Sequence, residues 1–345
     1  MNWPATVLAP EAWLTSSAPR LKQAFGRGRA WWPWVRLSGG AAILAVIIVR
    51  LGATPFLDAL RLTSAWALAA AAAITALTTV CCAWRWSLVA HALEVDVPLR
   101  PAVSAYYRSQ FLNATLPSGV LGDVHRAMRH GHDVGAMSRS VRSVVWERTL
   151  GQAVQIGLTV VLLGLLASPV RSAVPQLAAV GAVTVLGLAL VTAAVARRGS
   201  GLTARIAGGL VDDVRSISRA REAWPGVVLA SVAAVVGHTV IFLVALRATG
   251  ATVSAGQGVT LALVVLLASA VPTNIAGWGP REGAAAWAFS SVGLSAAQGV
   301  TTSVVYGVMV LVATLPGAVM LGVGRQHQHA GASEVFSPSP IGGRV

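Results

Sequence analysis

The chain has 345 residues, of which 55% are hydrophobic and only 11% are charged. Soluble domains carry about 25% charged residues, so the composition excludes an ordinary soluble protein and predicts an integral membrane protein. The formal net charge of +14 would suit a nucleic-acid-binding protein, but the basic residues lie between apolar segments, and we expect no nucleic-acid partner.

The predicted elements begin with a basic arm over residues 1–36, which we interpret as cytoplasmic. An aromatic run, Trp31 to Trp34, ends this arm and suits the headgroup level of a membrane. Apolar spans are predicted at about 37–55 and 63–84, each close to the length that crosses a bilayer as a helix.

Residues 101–117 are apolar but carry three polar side chains, Arg108, Gln110 and Asn113. We interpret this segment as a re-entrant or protein-buried half-helix, because irregular backbone at membrane depth must be shielded from lipid. A basic loop is expected at 118–145.

The rest of the chain is again dominated by apolar segments. In chain order we predict a span at 144–168, a span at about 173–196, a polar loop at 197–224 that could form an amphipathic interfacial helix, spans at about 225–246 and 256–272, a short apolar piece at 283–294 and a span at 297–322. The tail, residues 323–345, has the composition of a disordered segment. The fold class is therefore an all-α polytopic membrane domain over 37–322, with about seven to eight transmembrane helices and two broken or re-entrant segments.

Basic residues are distributed unevenly between the two sides of this arrangement. Of the 26 lysines and arginines, 21 fall on one side if the N-terminus is cytoplasmic. The excess of Lys and Arg in cytoplasmic loops predicts that both termini are cytoplasmic and that the protein lies in the inner (plasma) membrane of the cell.

Two hydrophobic segments are broken in a similar way. Each break has a proline, a glycine five residues on and an arginine nine residues on. These residues are Pro117, Gly122 and Arg126 in the first break and Pro272, Gly277 and Arg281 in the second. Gly119 and Gly279 add further conformational freedom. Paired broken segments in two halves of a membrane protein indicate a binding site near the bilayer midplane.

Polar and ionisable side chains cluster around these breaks, and we take them as candidate substrate-binding residues. They are Arg108, Gln110, Asn113, Asp123, Arg126, Glu147, Arg148, Arg281 and Glu282. One interpretation is a cationic pocket for a phosphate headgroup, with arginine as a bidentate partner. The other is a set of structural ion pairs, such as Asp123 with Arg148 or Arg126 with Glu147.

The interpretation of Glu147 as a residue that lines a hydrated cavity is favoured by Gly151, which we expect to leave open space one turn further along the helix. His238, in an apolar span, is interpreted as an interhelical hydrogen-bonding residue. The sequence predicts no catalytic residue, no metal site and no cofactor.

Three motifs carry a resemblance to a known family: RSQFLNATLPSGVLGDVHR, WERTLGQ and PTNIAGWGPREGAA. In this order they resemble the transmembrane, flippase-like region of the lysylphosphatidylglycerol synthase family over about residues 45–320. The chain departs from the family pattern at three positions. Ser118 and Leu121 each stand where a glycine is usual, and Pro280 stands where a residue other than proline is usual. The tail after residue 322 is short, so we expect no aminoacyl-transferase domain.

The resemblance implies translocation of a membrane lipid and not lysyl transfer. The expected substrate is an anionic phospholipid or a polyprenyl-phosphate-linked lipid. The alternatives are a membrane transferase or accessory factor acting on a lipid-linked substrate, and a scaffold in an envelope-biogenesis complex. A homo-oligomer or an envelope-biogenesis partner is compatible with each of these functions.

Overall fold

This computed structural model describes residues 61, 63–116, 119–166, 201–270 and 280–321 of the chain. Within these ranges every regular element is an α-helix. The helices, in chain order, are α1 (Ala65–Ala92), α2 (Leu99–Thr115), α3 (Leu121–Asp133), α4 (Met137–Leu165), α5 (Gly201–Arg219), α6 (Ala223–Ala248), α7 (Ala255–Ser269), α8 (Pro280–Ser291) and α9 (Ala296–Ala313).

Four helices in the described part of the chain are long and apolar enough to cross a membrane. They are α1, α4, α6 and the helix that begins at Ala296. The protein is therefore an all-helical, multi-pass integral membrane protein, as its composition predicts. The predicted arm, the spans at 37–55 and 173–196 and the tail lie outside the described residues.

Local sequence accounts for where several helices begin. The hydroxyl of Ser64 accepts a hydrogen bond from the N–H of Ala67 at 3.2 Å and caps α1. Ser254 and Gln257 form a reciprocal capping box at the start of α7. Pro280 is the first residue of α8, a position where the missing N–H of proline costs nothing. This explains how the chain accommodates a proline directly before Arg281.

The helix boundaries correct two sequence predictions. The basic loop expected at 118–145 is wrong, because the segment forms α3 and the first part of α4. The span expected to end at residue 84 continues for two more turns, to Ala92. The helix at the interrupted segment 101–117 and the helix within 197–224 are both present, as α2 and α5.

The helices pack around two main apolar cores. One core joins α6, α7, α8 and α9 to the beginning of α1, with Phe242 and Phe289 fully buried. The other joins the second half of α1 to α2, α3 and α4 around Trp86. Helices α1 and α6 approach closely where Gly226 faces the side chain of Leu88, a contact that only a small residue permits. The second core holds most of the predicted site residues.

Candidate functional site

Glu147 lies at the centre of a buried polar cluster in the second core. Its side chain is fully buried on α4. One carboxylate oxygen accepts hydrogen bonds from Arg85 Nε and from the Tyr106 hydroxyl, both at 2.9 Å. The other accepts from Arg126 Nη2 at 2.9 Å. Glu147 thus connects α1, α2 and α3 to α4.

Asp123, in the first turn of α3, is the second carboxylate of the cluster. It accepts hydrogen bonds from Ser109 Oγ and Asn113 Nδ2, each at 2.9 Å, and pairs with Arg126 and Arg148. Burial alone would raise the pKa of Asp123, but Arg148 and Arg126 lower it below its ordinary value. The two arginines therefore favour the charged form of Asp123.

Arg126 links the two carboxylates and stacks between two aromatic rings. Its guanidinium carbon lies 4.5 Å from the ring centre of Trp86 and 4.2 Å from that of Tyr106. Such cation–π contacts stabilise a cation away from water. The Nε and Nη1 atoms of Arg126 are buried and make no hydrogen bond within the part of the chain that the structure describes, so this guanidinium retains unused donors there.

The cluster carries more positive than negative charge. Arg85, Arg126 and Arg148 stand against Asp123 and Glu147, an excess of one positive charge. A buried charge without a counter-charge is costly unless another partner is present. The arrangement is therefore suited to an anion.

The backbone of the first break is fixed by close contact between α2 and α3. Gly119 has a φ of 63°, the left-handed region that favours glycine. A side chain at Gly122 would collide with the carbonyl of Ser109, whereas the neighbouring Leu121 is exposed. This explains why the chain tolerates Leu121 in place of a glycine. The N–H of Gly122 is already occupied by Asn113 Oδ1 at 2.8 Å.

The second predicted site forms a separate group on α8 and α9. Arg281 donates from Nε to Glu282 at 2.9 Å and to Ser303 at 3.0 Å, and both charged side chains are buried. The ring of Tyr306 lies 5.5 Å from the Arg281 guanidinium, and its hydroxyl is 3.0 Å from His238 Nδ1. The prediction that His238 makes an interhelical hydrogen bond is confirmed.

The structure thus distributes the predicted residues over four places. Asn113, Asp123, Arg126, Glu147 and Arg148 join one cluster, and the two ion pairs suggested by the sequence are both present. Gln110 accepts from Thr79 at 2.9 Å, and Arg108 lines a neighbouring cavity. Arg281 and Glu282 belong to the second group. The predicted breakpoints Pro117, Pro272, Gly277 and Gly279 lie outside the described residues.

The expectation of open space beside Gly151 is wrong. A side chain at Gly151 would lie 2.7 Å from the guanidinium of Arg85, so Arg85 fills that space. Sequence reasoning also missed Arg85 as a partner of Glu147. The motif Trp84-Arg85-Trp86 is typical of a helix end at a membrane interface, and only the longer α1 places Arg85 in the core.

A comparison with protein families identifies the chain. The model of the lysylphosphatidylglycerol synthase transmembrane region matches residues 34–317. The chain belongs to this family. No curated protein and no solved structure matches it. Membership of the lysylphosphatidylglycerol synthase family makes it a membrane protein related to lipid modification or transport.

Proposed function

We propose that the protein is a lipid translocase that carries an anionic lipid across the inner membrane of the cell. The observation that carries this proposal is the buried cluster on α1, α3 and α4, in which three arginines are balanced by only two carboxylates. An anionic headgroup would supply the missing negative charge. The carboxylates hold the arginines in place, and Arg126 presents its unused donors to the substrate.

The family supports this proposal at the level of lipid chemistry. The motif resemblance is to the translocating region of the synthases, which favours transport over group transfer. The substrate class we propose is an anionic phospholipid or a polyprenyl-phosphate-linked lipid, with Arg108, Gln110, Asn113, Arg148, Arg281 and Glu282 completing the substrate path.

The experiment is a lipid-scrambling assay with the purified full chain in liposomes. Fluorescent phosphatidylglycerol in the inner leaflet is protected from dithionite until a translocase exposes it. We expect faster exposure than in protein-free vesicles and a strong loss of rate in Arg126→Ala. Arg139→Gln is the matched control, since Arg139 pairs with Glu94 at the surface and 51% of its side chain is exposed.

Two other results would reject translocation. Covalent modification of the lipid without movement, seen by mass spectrometry, would identify a transferase. Neither movement nor modification, for any of several anionic lipids, would leave a scaffold role.

The proposed orientation places both termini in the cytoplasm. An epitope tag near residue 200 should then be protected from added protease in intact cells from which the outer envelope has been removed, and a tag near residue 169 should be cleaved. The reverse pattern would invert the orientation.

A further inference from the structure

A small cavity lies next to the buried cluster, between α2, α3 and the second half of α1. Its volume is about 60 Å³. A volume of this size has room for a few water molecules or one phosphate-sized group. Its ionisable lining residues are Arg108, His125, Arg126, Arg129, His130 and Asp133.

Several of these side chains have buried polar atoms that make no hydrogen bond within the described part of the chain. Arg126 is only 2% exposed, and its Nε and Nη1 atoms make no hydrogen bond. Arg108 Nε and His130 Nε2 are also buried without a hydrogen-bond partner. Buried polar atoms are almost always satisfied in folded proteins, so three such groups around one cavity indicate a polar ligand.

The lining carries an excess of two positive charges when both histidines are neutral, because three arginines face one aspartate. The adjoining cluster does not reduce this excess. It adds Arg85 and Arg148 on one side and Asp123 and Glu147 on the other. The cavity therefore suits a ligand group with a double negative charge.

The opposite face of α3 indicates that the ligand comes from a membrane. Leu121, Val124 and Met128 share that face, and all three are exposed. A helix with a cationic face and an exposed apolar face is typical of the boundary between headgroups and acyl chains. A lipid with its chains beside this apolar face could place its headgroup in the cavity.

We propose that this cavity binds the terminal phosphomonoester group of a membrane lipid. A phosphomonoester carries close to two negative charges at neutral pH and three terminal oxygens for the arginine donors. A phosphodiester such as phosphatidylglycerol has one negative charge and two terminal oxygens, so it meets fewer of the arginine donors around this cavity. The inference rests on the proposed function for its choice of a lipid and narrows the substrate class of that function.

The test measures binding directly, without transport. The full chain in detergent is titrated by calorimetry with dihexanoyl phosphatidic acid, dihexanoyl phosphatidylglycerol and glycerol 3-phosphate. We expect the phosphatidic acid to bind at least about tenfold more tightly than the phosphatidylglycerol, since one more charge-assisted hydrogen bond is available to it. Glycerol 3-phosphate, which has the same headgroup without chains, should bind more weakly than the phosphatidic acid.

Variants assign the binding to the cavity. Arg129→Gln and Arg108→Gln should each weaken phosphatidic acid binding by roughly tenfold, with Arg139→Gln unchanged. Thermal unfolding of each variant confirms that it is folded. If one of the two cavity variants does not fold, the other alone provides the test. Equal binding of the two lipids, or binding that neither cavity variant weakens, would overturn the proposal.

The remaining outcomes test separately whether the ligand is a lipid and whether the protein is a translocase. If glycerol 3-phosphate binds as tightly as the phosphatidic acid, the lipid source is wrong and the site serves a soluble phosphomonoester. If phosphatidic acid binds as expected but no fluorescent lipid, including a fluorescent phosphatidic acid, crosses the vesicle membrane, the cavity assignment stands and translocation fails.

Discussion

The two polar clusters contain the same kinds of residue and yet differ in construction. In the first, the charges come from three separate helices: Arg85 from α1, Arg126 from α3 and Glu147 from α4. In the second, Arg281 and Glu282 are neighbours on α8, and Arg281 donates a hydrogen bond to the hydroxyl of Ser303 on α9. The first cluster has an excess of arginine, and the second pairs one arginine with one glutamate.

The shared offset from a proline therefore does not make the two arginines equivalent. Arg126 is the sixth residue of its helix, but Arg281 is the second of its own. A difference of one helical turn changes which helices each side chain can reach. We infer that the first cluster contributes most to binding the anion, and that Arg281 and Glu282, besides completing the substrate path, fix the start of α8.

The largest expected effect is on stability, from Glu147→Gln. The change leaves Arg85 and Arg126 buried with one negative charge fewer, which typically costs about 3–5 kcal/mol. Thermal unfolding in detergent should show a much lower midpoint than for Glu282→Gln, since Glu282 pairs with Arg281 on its own helix. Equal losses in the two variants would remove the distinction between the clusters.

Asp123→Asn sharpens the same comparison within the first cluster. Of its two partners, Arg126 keeps Glu147 as a counter-charge, and Arg148 is 39% exposed, so water can solvate it. The midpoint should fall less than in Glu147→Gln. A fall as large as that of Glu147→Gln would show that Arg148 is not effectively hydrated.

Lipid transport should distinguish the two arginines. Arg126→Ala should lower the scrambling rate by about 10–100-fold, the loss of one or two charge-assisted hydrogen bonds. The protein should remain folded, because the ion pairs of Glu147 with Arg85 and of Asp123 with Arg148 are still present in this variant. Arg281→Ala should have a smaller effect on the rate per folded molecule, and a larger effect would exchange the roles of the clusters.

Two glycines test the backbone of the two regions. Gly122→Ala should destabilise the protein by about 1–3 kcal/mol, because the new methyl group meets the carbonyl of Ser109 and α3 must move. Among the described residues, no atom lies within 4 Å of the place that a methyl group at Gly283 in α8 would take, so Gly283→Ala should be neutral or stabilising by up to about 1 kcal/mol. A stable Gly122→Ala variant would show that α2 and α3 separate without cost.

The smallest expected effect concerns pH. Burial lowers the pKa of His130 below its ordinary value of 6.5, although Asp133 and Asp96 act in the opposite direction. The neutral form of His130 therefore stabilises the fold fully above about pH 6.5, and this contribution is lost as the pH falls below 6.5 towards the folded-state pKa. His130→Gln should flatten the decline in unfolding midpoint below pH 6.5, measured by thermal unfolding across a pH series.

Much of the architecture follows from the sequence because apolar composition determines which segments enter a membrane. The spans around α1, α4, α6 and the helix that begins at Ala296 were predictable for that reason. The pairs of Asp123 with Arg148 and Arg126 with Glu147 were also predictable, since a buried charge requires a counter-charge.

The errors have equally physical causes. Helix α3 is polar on average, so composition indicates a loop, and only the apolar spacing of Leu121, Val124 and Met128 indicates a helix. The contacts of Arg85 with Glu147 and Ser231 span 62 and 146 residues of sequence. Local patterns carry no information about such distant partners, and the cavity between α2 and α3 could not be predicted for the same reason.

The distance along the chain between Arg85 and Glu147 has a consequence for biogenesis. Residues emerge from the ribosome at about 5–20 per second, so the 62 residues between them take about 3–12 s to appear. During that interval α1 has its arginine but not its glutamate. Because an unpaired arginine resists entry into hydrocarbon, α1 should first insert only to the depth of its apolar N-terminal part and should move to its final position when α4 arrives. Assembly of the cluster thus waits for the synthesis of α4 and precedes that of the five described helices that follow it.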